Sequence, residues 1–310
     1  MKKALLRALE TYIPPPAPRI NQYKRCDVFR CGHDAHRQFN SSVSVYHVLK
    51  IKQCYPHGCV WFKWHCRKLE NGKRCHRKFK HVGKACTSCP HFYDVKVIKR
   101  PEVMMGEQEF NHFMKELKAF ESWIHERNGK LVSCLGTVNS VKPRYSLIQT
   151  RKKLSITFDG YLLNFHDSCI DKDIFHDILY VPITHFQQKR WRFARGDSLH
   201  FVGTFSVRHG LIIIEHIRSI EVLQRGEPCS WTDCKARIAQ RTGSLLPFQF
   251  VQCYSCDKGV LIHVKSDEHQ RGSRRRMLCL EGIADPRWCW YRTEKLIQCD
   301  MCGDETDRTS

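Results

Sequence analysis

Two Cys-x-x-Cys pairs carry the clearest chemical signal in the sequence. Cys253 and Cys256 lie in VQCYSCDKG, and Cys299 and Cys302 lie in LIQCDMCGDE. Two such pairs supply four thiolates from two tight knuckles, which is how a structural zinc ion is commonly held. The pairs therefore predict a zinc ribbon that fixes the C-terminal segment. The 42 residues between Cys256 and Cys299 exceed the usual spacing of roughly 15–20, so we expect an extended ribbon.

Four further cysteines surround this predicted ribbon: Cys229, Cys234, Cys279 and Cys289. They fit a second metal site, and they also fit unliganded thiols, because a free cysteine packs as a small hydrophobe. A redox role for either Cys-x-x-Cys pair is disfavoured, because neither pair lies between a predicted parallel strand and a helix.

The first third of the chain holds eight more cysteines, in two sets of four. In the first set, WFKWHCRKL and RCHRKFKHV predict two strands around an Asn-Gly turn, and a knuckle follows them. That set, a predicted zinc site, is Cys66, Cys75, Cys86 and Cys89. The second set, in which His33, His36 or His57 can replace a thiol, is Cys26, Cys31, Cys54 and Cys59. We expect about two to three zinc ions in total. An iron–sulfur cluster also uses four thiolates and stays open here, although the His-rich, basic surroundings favour zinc.

Positive charge is concentrated around these ligands. The chain has a formal net charge of +21, and residues 1–105 hold 22 Lys and Arg against 6 Asp and Glu. Such a surface attracts a polyanion, and nucleic acid is the first expectation. The cations expected to contact phosphates are Lys63, Arg67, Lys73, Arg74, Arg77, Lys78 and Lys80. For the neighbouring Trp61, Trp64, Phe79 and Tyr93 we expect a small core and not a base-stacking surface.

The middle of the chain predicts one helix and then strands. Apolar residues recur at helical spacing from Phe110 to Ile124, and Asn128-Gly129 ends the pattern. Strand patterns follow from residue 130 to 223, with a turn expected at Asp159-Gly160 and a helix-compatible stretch in CIDKDIFHDILYVPITHF.

The segment RGDSLHFVGTFSVRHGLIIIEHIRSIEV resembles the fourth and fifth strands of OB-fold nucleic-acid-binding domains. The resemblance covers about 95 residues, is one of fold pattern, and carries no invariant signature. It implies a binding groove over the second and third strands and their loops. The residues expected there are Lys142, Arg144, Tyr145, Arg151, Lys152, Lys153, Lys189, Arg190, Trp191 and Arg192. Arg274, Arg275 and Arg276 add a basic patch inside the predicted ribbon.

These patterns predict an α+β, mainly β protein with an OB-like barrel between two zinc modules. The expected segments are an N-terminal helix and proline linker (1–20), a Cys-rich zinc module (21–105), a linking helix (106–129), the barrel (130–225) and the ribbon (226–310). Residues 1–18 are a candidate docking peptide for a protein partner. Arg7 and Glu10 interrupt the N-terminal apolar stretch, so we expect no signal peptide and no membrane partner. An intracellular location follows, in the cytoplasm or with the nucleoid or nucleus.

The leading functional hypothesis is a non-enzymatic, zinc-containing nucleic-acid-binding protein, a subunit of a larger machinery, that prefers single-stranded or distorted DNA or RNA. No catalytic residue is assigned, because the acidic residues are scattered and no phosphate-binding Gly-rich loop occurs. Two alternatives stay open: a metal-dependent nuclease or nucleic-acid-modifying subunit, and a zinc-stabilised scaffold for proteins.

Overall fold

The computed structural model describes residues 19–33, 36, 41–150, 154–228, 231–247, 253, 256–266 and 274–290. The fold is α+β and mainly strand, as the sequence predicts. It divides into two compact units. The N-terminal unit holds Asn21–Glu126 with His209–Leu211, and the C-terminal unit holds most of the described residues from Arg127 onward. In the described residues, none of the helices has the length and apolar character needed to cross a membrane.

The N-terminal unit contains two small sheets and one long helix. The bounds are β1 Phe29–Arg30, β2 Ser42–Val43, β3 Cys59–Cys66, α1 Arg67–Glu70, β4 Phe92–Lys99, β5 Glu102–Val103 and α2 Glu107–Arg127. Strand β1 pairs antiparallel with β2 and β5, and β3 pairs antiparallel with β4. A short helix also covers His47–Ile51.

Helix α2 supplies the core of this unit, as its apolar spacing predicts. Phe113, Leu117, Phe120 and Trp123 are buried on one face, and the Phe120 and Trp123 rings stack 5.8 Å apart. The helix ends at Arg127, just before Gly129 with its positive φ of +78°. A glycine can take this left-handed conformation without the steric cost of a Cβ atom, so it ends the helix there.

The predicted hairpin around Asn71-Gly72 is wrong. The segment after this turn is not a strand, and β3 pairs instead with β4, with Cys59 opposite Lys99 and Cys66 opposite Phe92. An Asn-Gly pair favours a tight turn locally, but it does not determine which segment of the chain pairs with β3. Residues 67–91 therefore form a long connection between β3 and β4, the two strands that we call the β3–β4 ribbon. This connection carries most of the Lys and Arg of residues 59–100.

The C-terminal unit is built around one nine-stranded sheet with two helices. Its bounds are β6 Leu131–Gln149, β7 Leu154–Ile170, β8 Asp173–Phe175, β9 Leu179–Ile183, α3 His185–Trp191, β10 Ser198–Arg208, β11 Leu211–Gln224, α4 Asp233–Thr242, β12 Ser244–Leu245, β13 Gly259–Ser266 and β14 Arg274–Cys279. The β10–β11 connection at His209-Gly210 has positive φ at both residues, as a tight hairpin requires.

Five of these strands pair in a circuit. Strand β6 pairs antiparallel with β7 and with β10, β7 pairs antiparallel with β9, β9 runs parallel to β11, and β11 is adjacent to β10. Helix α3 connects β9 to β10 and begins with a capping box between Thr184 and Gln187. The interior residues are large and apolar, among them Phe165, Phe201, Leu163 and Ile214.

Two local predictions in this unit are wrong. Asp159-Gly160 is not a turn between two strands, because β7 continues through it. Gly160 has φ of +103°, and the pairing register shifts opposite it between Arg144 and Tyr145, which marks a bulge. The stretch proposed as helix-compatible holds the end of β7, all of β8 and β9, and only the first residues of α3.

Strands β12, β14 and β13 extend the sheet beyond β6. Strand β13 runs parallel to β6, with His263 opposite Ser146, and pairs antiparallel with β14, with Gly259 opposite Cys279. A second core of buried Leu147, Ile262 and Leu278 joins this extension to β6 and α4. In this extension β14 ends at Cys279, and β13 begins three residues after Cys256.

Candidate metal centres and nucleic-acid interface

The four cysteines of the first predicted set line a single small cavity in the N-terminal unit. Its volume is about 10 Å³, and we call its thiols the first thiol cluster: Cys66, Cys75, Cys86 and Cys89. Cys66 ends β3, and the Cys86–Cys89 knuckle is closed by the backbone N–H of Cys89, which donates to the Cys86 carbonyl at 2.9 Å. The guanidinium of Arg77 donates to the Ala85 carbonyl at 2.8 Å and fixes the loop before the knuckle.

A second cavity of about 20 Å³ lies in the C-terminal unit. It is lined by what we call the second thiol cluster: Cys253, Cys256, Cys279 and Cys289. Burial, and then the neighbouring thiols, raise the pKa of Cys253 to about 11. The structure thus brings the predicted Cys253 and Cys256 together with two cysteines that the spacing rule did not select. Cys299 and Cys302 lie outside the described residues.

Three members of the other N-terminal set lie near one another. Burial, a hydrogen bond with Cys59 and the nearby Cys31 raise the pKa of Cys54 to about 12. Cys26 is exposed, and its thiol donates to the Lys24 carbonyl at 3.3 Å. The structure therefore gives no support for grouping Cys26 with the other three cysteines.

A histidine pair lies in the same unit. The Nε2 atoms of His36 and His47 are 3.2 Å apart, and burial lowers the pKa of both rings. The His33 and His36 ring centres are 5.5 Å apart. Sequence reasoning named His33 and His36 but missed His47, which lies at no ligand-like spacing from the cysteines.

Within the described ranges, no group of three or more His, Cys, Asp or Glu side chains is arranged as a formed metal site. The fit of a metal therefore rests on donor chemistry and cavity size. A space of about 10–15 Å³ holds one water-sized particle. Cavities of about 10 and 20 Å³ lined by four thiols match a single ion better than a multi-iron cluster.

The β3–β4 ribbon presents aromatic side chains to solvent. Val60, Phe62 and Trp64 alternate along β3 and so share one face, and Phe62 is 54% and Trp64 42% exposed. Phe79 is 40% exposed. The expectation that Trp64 and Phe79 fill a small core is therefore wrong. In the described residues, β3 and β4 form a two-stranded sheet of their own, and a two-stranded ribbon buries little apolar surface by itself.

The other two aromatic residues named with them are half-buried. The Tyr93 ring stacks on His65 at 5.1 Å, and its hydroxyl donates to Glu70 at 2.6 Å. The Trp61 ring centre lies 4.0 Å from that of His33. These two fit the small-core expectation better than Trp64 and Phe79 do.

The segment that contains this exposed face is rich in exposed cations. Residues 59–100 hold 12 Lys and Arg against 2 Asp and Glu. All seven predicted phosphate contacts of this region are exposed: Lys63, Arg67, Lys73, Arg74, Arg77, Lys78 and Lys80. One of the two acids, Glu70, is engaged by Tyr93 and His65. The local potential is therefore strongly positive next to exposed rings.

Two predicted groove residues of the C-terminal unit have structural roles. Tyr145 is 1% exposed, and its hydroxyl donates to the Ala236 carbonyl at 2.6 Å, so it cannot stack on a base. Arg144 is half-buried and donates to the Asp159 carbonyl at 2.7 Å. Arg151, Lys152 and Lys153 lie outside the described residues.

The α3 residues line an open cleft of about 1010 Å³. Lys189, Arg190 and Arg192 are exposed there, the Arg190 guanidinium lies 5.4 Å from the Trp191 ring centre, and Trp231 also lines the cleft. Sequence reasoning missed Trp231, which belongs to no motif. Arg275 and Arg276 are half-buried, and Arg276 donates to the Leu246 carbonyl at 3.5 Å. Arg274 belongs to β14.

Neither the protein-family models nor the curated proteins contain a match to this chain. The features that bear on its function are two four-thiol cavities, a basic aromatic ribbon and a cleft of mixed charge with two indoles.

Proposed function

We propose that this is a zinc-stabilised, non-enzymatic nucleic-acid-binding protein that prefers single strands. The observation that carries the proposal is the exposed face of β3, where Phe62 and Trp64 stand among the cations of residues 59–100. Aromatic rings in a positive surface bind unpaired bases by stacking while the cations neutralise phosphates.

The spacing of these rings supports single strands over duplex. Alternate residues on a strand are about 6.6 Å apart, so Phe62 and Trp64 can each receive one base. A paired base is stacked inside the duplex and offers no free face to such a ring, whereas an unpaired base does. The proposed ligand is therefore a single-stranded segment of DNA or RNA.

Zinc at the first thiol cluster would give this surface its shape. When bound, zinc supplies a four-thiolate cross-link and no open position for chemistry. Cys66 would tie the end of β3 to the loop that carries Cys75 and to the Cys86–Cys89 knuckle. The cationic connection between β3 and β4 would then be held beside the exposed aromatic face.

We also infer that the C-terminal unit contains an OB-like barrel made of β6, β7, β9, β10 and β11. The support is the pairing circuit, with β9 parallel to β11 and a helix between β9 and β10. Its α3 cleft, lined by four cations, three acids and the indoles of Trp191 and Trp231, offers a second aromatic surface with a small cationic excess. OB folds also bind proteins and sugars, so the barrel is compatible with nucleic-acid binding but does not by itself indicate the ligand.

The test is fluorescence anisotropy of the zinc-loaded chain with single-stranded DNA, single-stranded RNA and duplex over a salt series. We expect the single strands to bind more tightly than duplex, with affinity falling steeply as salt rises. Trp64→Ala should weaken single-strand binding roughly 5- to 150-fold, because stacking on one base contributes about 1–3 kcal/mol.

Trp288→Ala is the matched control, since Trp288 is 82% exposed and belongs to the other unit. It should leave the affinity unchanged. Equal losses in the two variants, or duplex binding as tight as single-strand binding, would overturn the proposal. Absence of binding at low salt would refute nucleic-acid binding and indicate that the basic surface binds an acidic protein instead.

A further inference from the structure

We propose that one zinc ion is bound in the C-terminal unit by Cys253, Cys256, Cys279 and Cys289, and that Cys299 and Cys302 are not among its ligands. This assignment does not depend on nucleic-acid binding. It differs from the ribbon that the Cys-x-x-Cys spacing predicts, and it is argued from the strand register, the knuckle geometry and the charges around the cavity.

Strand register brings the two halves of the site together. Gly259, three residues after Cys256, lies opposite Cys279 in the β13–β14 pair. The backbone N–H of Leu280 donates to the Lys258 carbonyl at 2.9 Å, which holds the two turns side by side. The chain then returns through Pro286–Trp288, and Cys289 follows at once. All four thiols consequently line one cavity.

The first half has the geometry of a metal knuckle. The backbone N–H of Lys258 donates to the Cys256 sulfur at 3.4 Å, and that of Gly259 donates to the Cys256 carbonyl at 3.1 Å. A Cβ atom on Gly259 would lie 2.0 Å from the Cys253 carbonyl oxygen, so only glycine fits there. An N–H directed at a sulfur stabilises the thiolate, which is the form that binds zinc.

The surroundings favour a closed, negatively charged site. Leu246, Ile283 and Pro286 supply apolar walls. Four thiolates and one zinc ion carry a charge of about −2. The Lys142 ammonium donates to the Cys256 carbonyl at 2.8 Å, so a cation lies next to that charge, whereas Lys258, which also borders the cavity, is paired with Glu281 at 2.8 Å. Such a site is structural, because four protein ligands leave no position for a substrate.

The test measures zinc per chain by mass spectrometry on three full-length proteins: the wild type, the Cys279→Ser/Cys289→Ser variant and the Cys299→Ser/Cys302→Ser variant. The first variant should hold one zinc fewer than the wild type, and the second should hold the same amount as the wild type. The result is read as a difference, so zinc at the first thiol cluster does not affect it. Loss of zinc in the second variant, or none in the first, would overturn the assignment.

A measurement on the wild type covers the case in which Cys279→Ser/Cys289→Ser does not fold. Thiols are alkylated with and without a zinc chelator and located by peptide mass spectrometry. Removing zinc should expose Cys253, Cys256, Cys279 and Cys289 to alkylation. Unchanged labelling of Cys279 and Cys289, with zinc-dependent protection of Cys299 and Cys302, would restore the ribbon predicted from spacing and refute the assignment.

Discussion

A single added methyl group at Gly259 should open the second thiol cluster. The Cβ atom of Gly259→Ala would lie 2.0 Å from the carbonyl oxygen and 3.0 Å from the carbonyl carbon of Cys253. Both are backbone atoms, so no change of rotamer relieves the clash. Since Cβ atoms essentially never approach closer than 3.0 Å, the Cys253 backbone must retreat by about 1 Å.

The size of that retreat sets the expected loss of zinc affinity. Zinc–sulfur distances are about 2.3 Å and tolerate about ±0.2 Å, so a shift of about 1 Å exceeds the tolerance roughly five-fold. Overpacking that forces backbone shifts costs about 1–3 kcal/mol. If the metal-free chain relaxes and the metal-bound chain cannot, zinc affinity falls roughly 5- to 150-fold.

Competition with a chromophoric zinc chelator measures this affinity directly. Gly83→Ala is the matched control, because Gly83 lies three residues before the knuckle cysteine Cys86, has extended backbone angles, and has no atom within 4 Å of a Cβ. It should release zinc as the wild type does. Wild-type affinity in Gly259→Ala would refute the close approach of Gly259 to Cys253, and with it the knuckle geometry.

Four other variants test individual residues of the two units. Tyr145→Phe should lower the free energy of unfolding by about 0.5–1.5 kcal/mol in urea titrations, through loss of the bond to Ala236, and leave nucleic-acid binding unchanged. Asp197→Ala should cost about 2–5 kcal/mol in the same titrations, because the 1% exposed carboxylate accepts bonds from the backbone N–H groups of Ala194 and Gly226, which would lose their acceptor, whereas its ion-pair partner Arg225 is 54% exposed and stays solvated. Trp123→Ala, at a residue 2% exposed, should cost about 3–5 kcal/mol by heat or urea unfolding. Lys73→Gln with Lys80→Gln should reduce the slope of log affinity against log salt by about 1.4 for single strands, and an unchanged slope would remove both lysines from the phosphate contacts.

Features encoded locally could be predicted from the sequence. Helix α2 follows from apolar residues at helical spacing and a glycine stop, and the β10–β11 hairpin follows from two strand patterns around His209-Gly210. The mainly β character likewise follows from β-branched and aromatic runs. Each of these signals lies within one element or within two consecutive elements, where periodicity is informative.

Features encoded by distant pairing could not be predicted in this way. The partner of β3 begins at Phe92, 26 residues after Cys66, and no local pattern distinguishes it from the nearer RCHRKFKHV segment. The continuous β7 was also missed, because Gly160 has the sequence signature of a turn but occupies a bulge opposite Arg144 and Tyr145. Turn residues report backbone conformation, and a bulge uses the same conformation as a turn.

The two thiol clusters show the same difference between features encoded locally and features encoded by distant strand pairing. The first thiol cluster was predicted even though its hairpin was wrong, because the Cys86–Cys89 knuckle is local and Cys66 still ends a strand in the correct place. The second cluster draws on Cys279 and Cys289, which are ten residues apart and belong to no knuckle motif. The pairing of Gly259 with Cys279 places Cys279 near Cys256, and the return of the chain through Pro286–Trp288 brings Cys289 to the same cavity.

The error on the aromatic residues bears most directly on function. Composition alone assigns Trp64 and Phe79 to a core, because large rings are usually buried. The N-terminal unit, however, already has a core in the packing of α2 residues such as Phe113 and Phe120. In the described residues, the β3–β4 ribbon is a two-stranded sheet of its own, and Cys66 at the end of β3 lines the four-thiol cavity. The zinc ion proposed for that cavity would stabilise the ribbon with little apolar burial and so leave its rings free for a ligand, and the twelve cations of residues 59–100 would favour a ligand rich in phosphate.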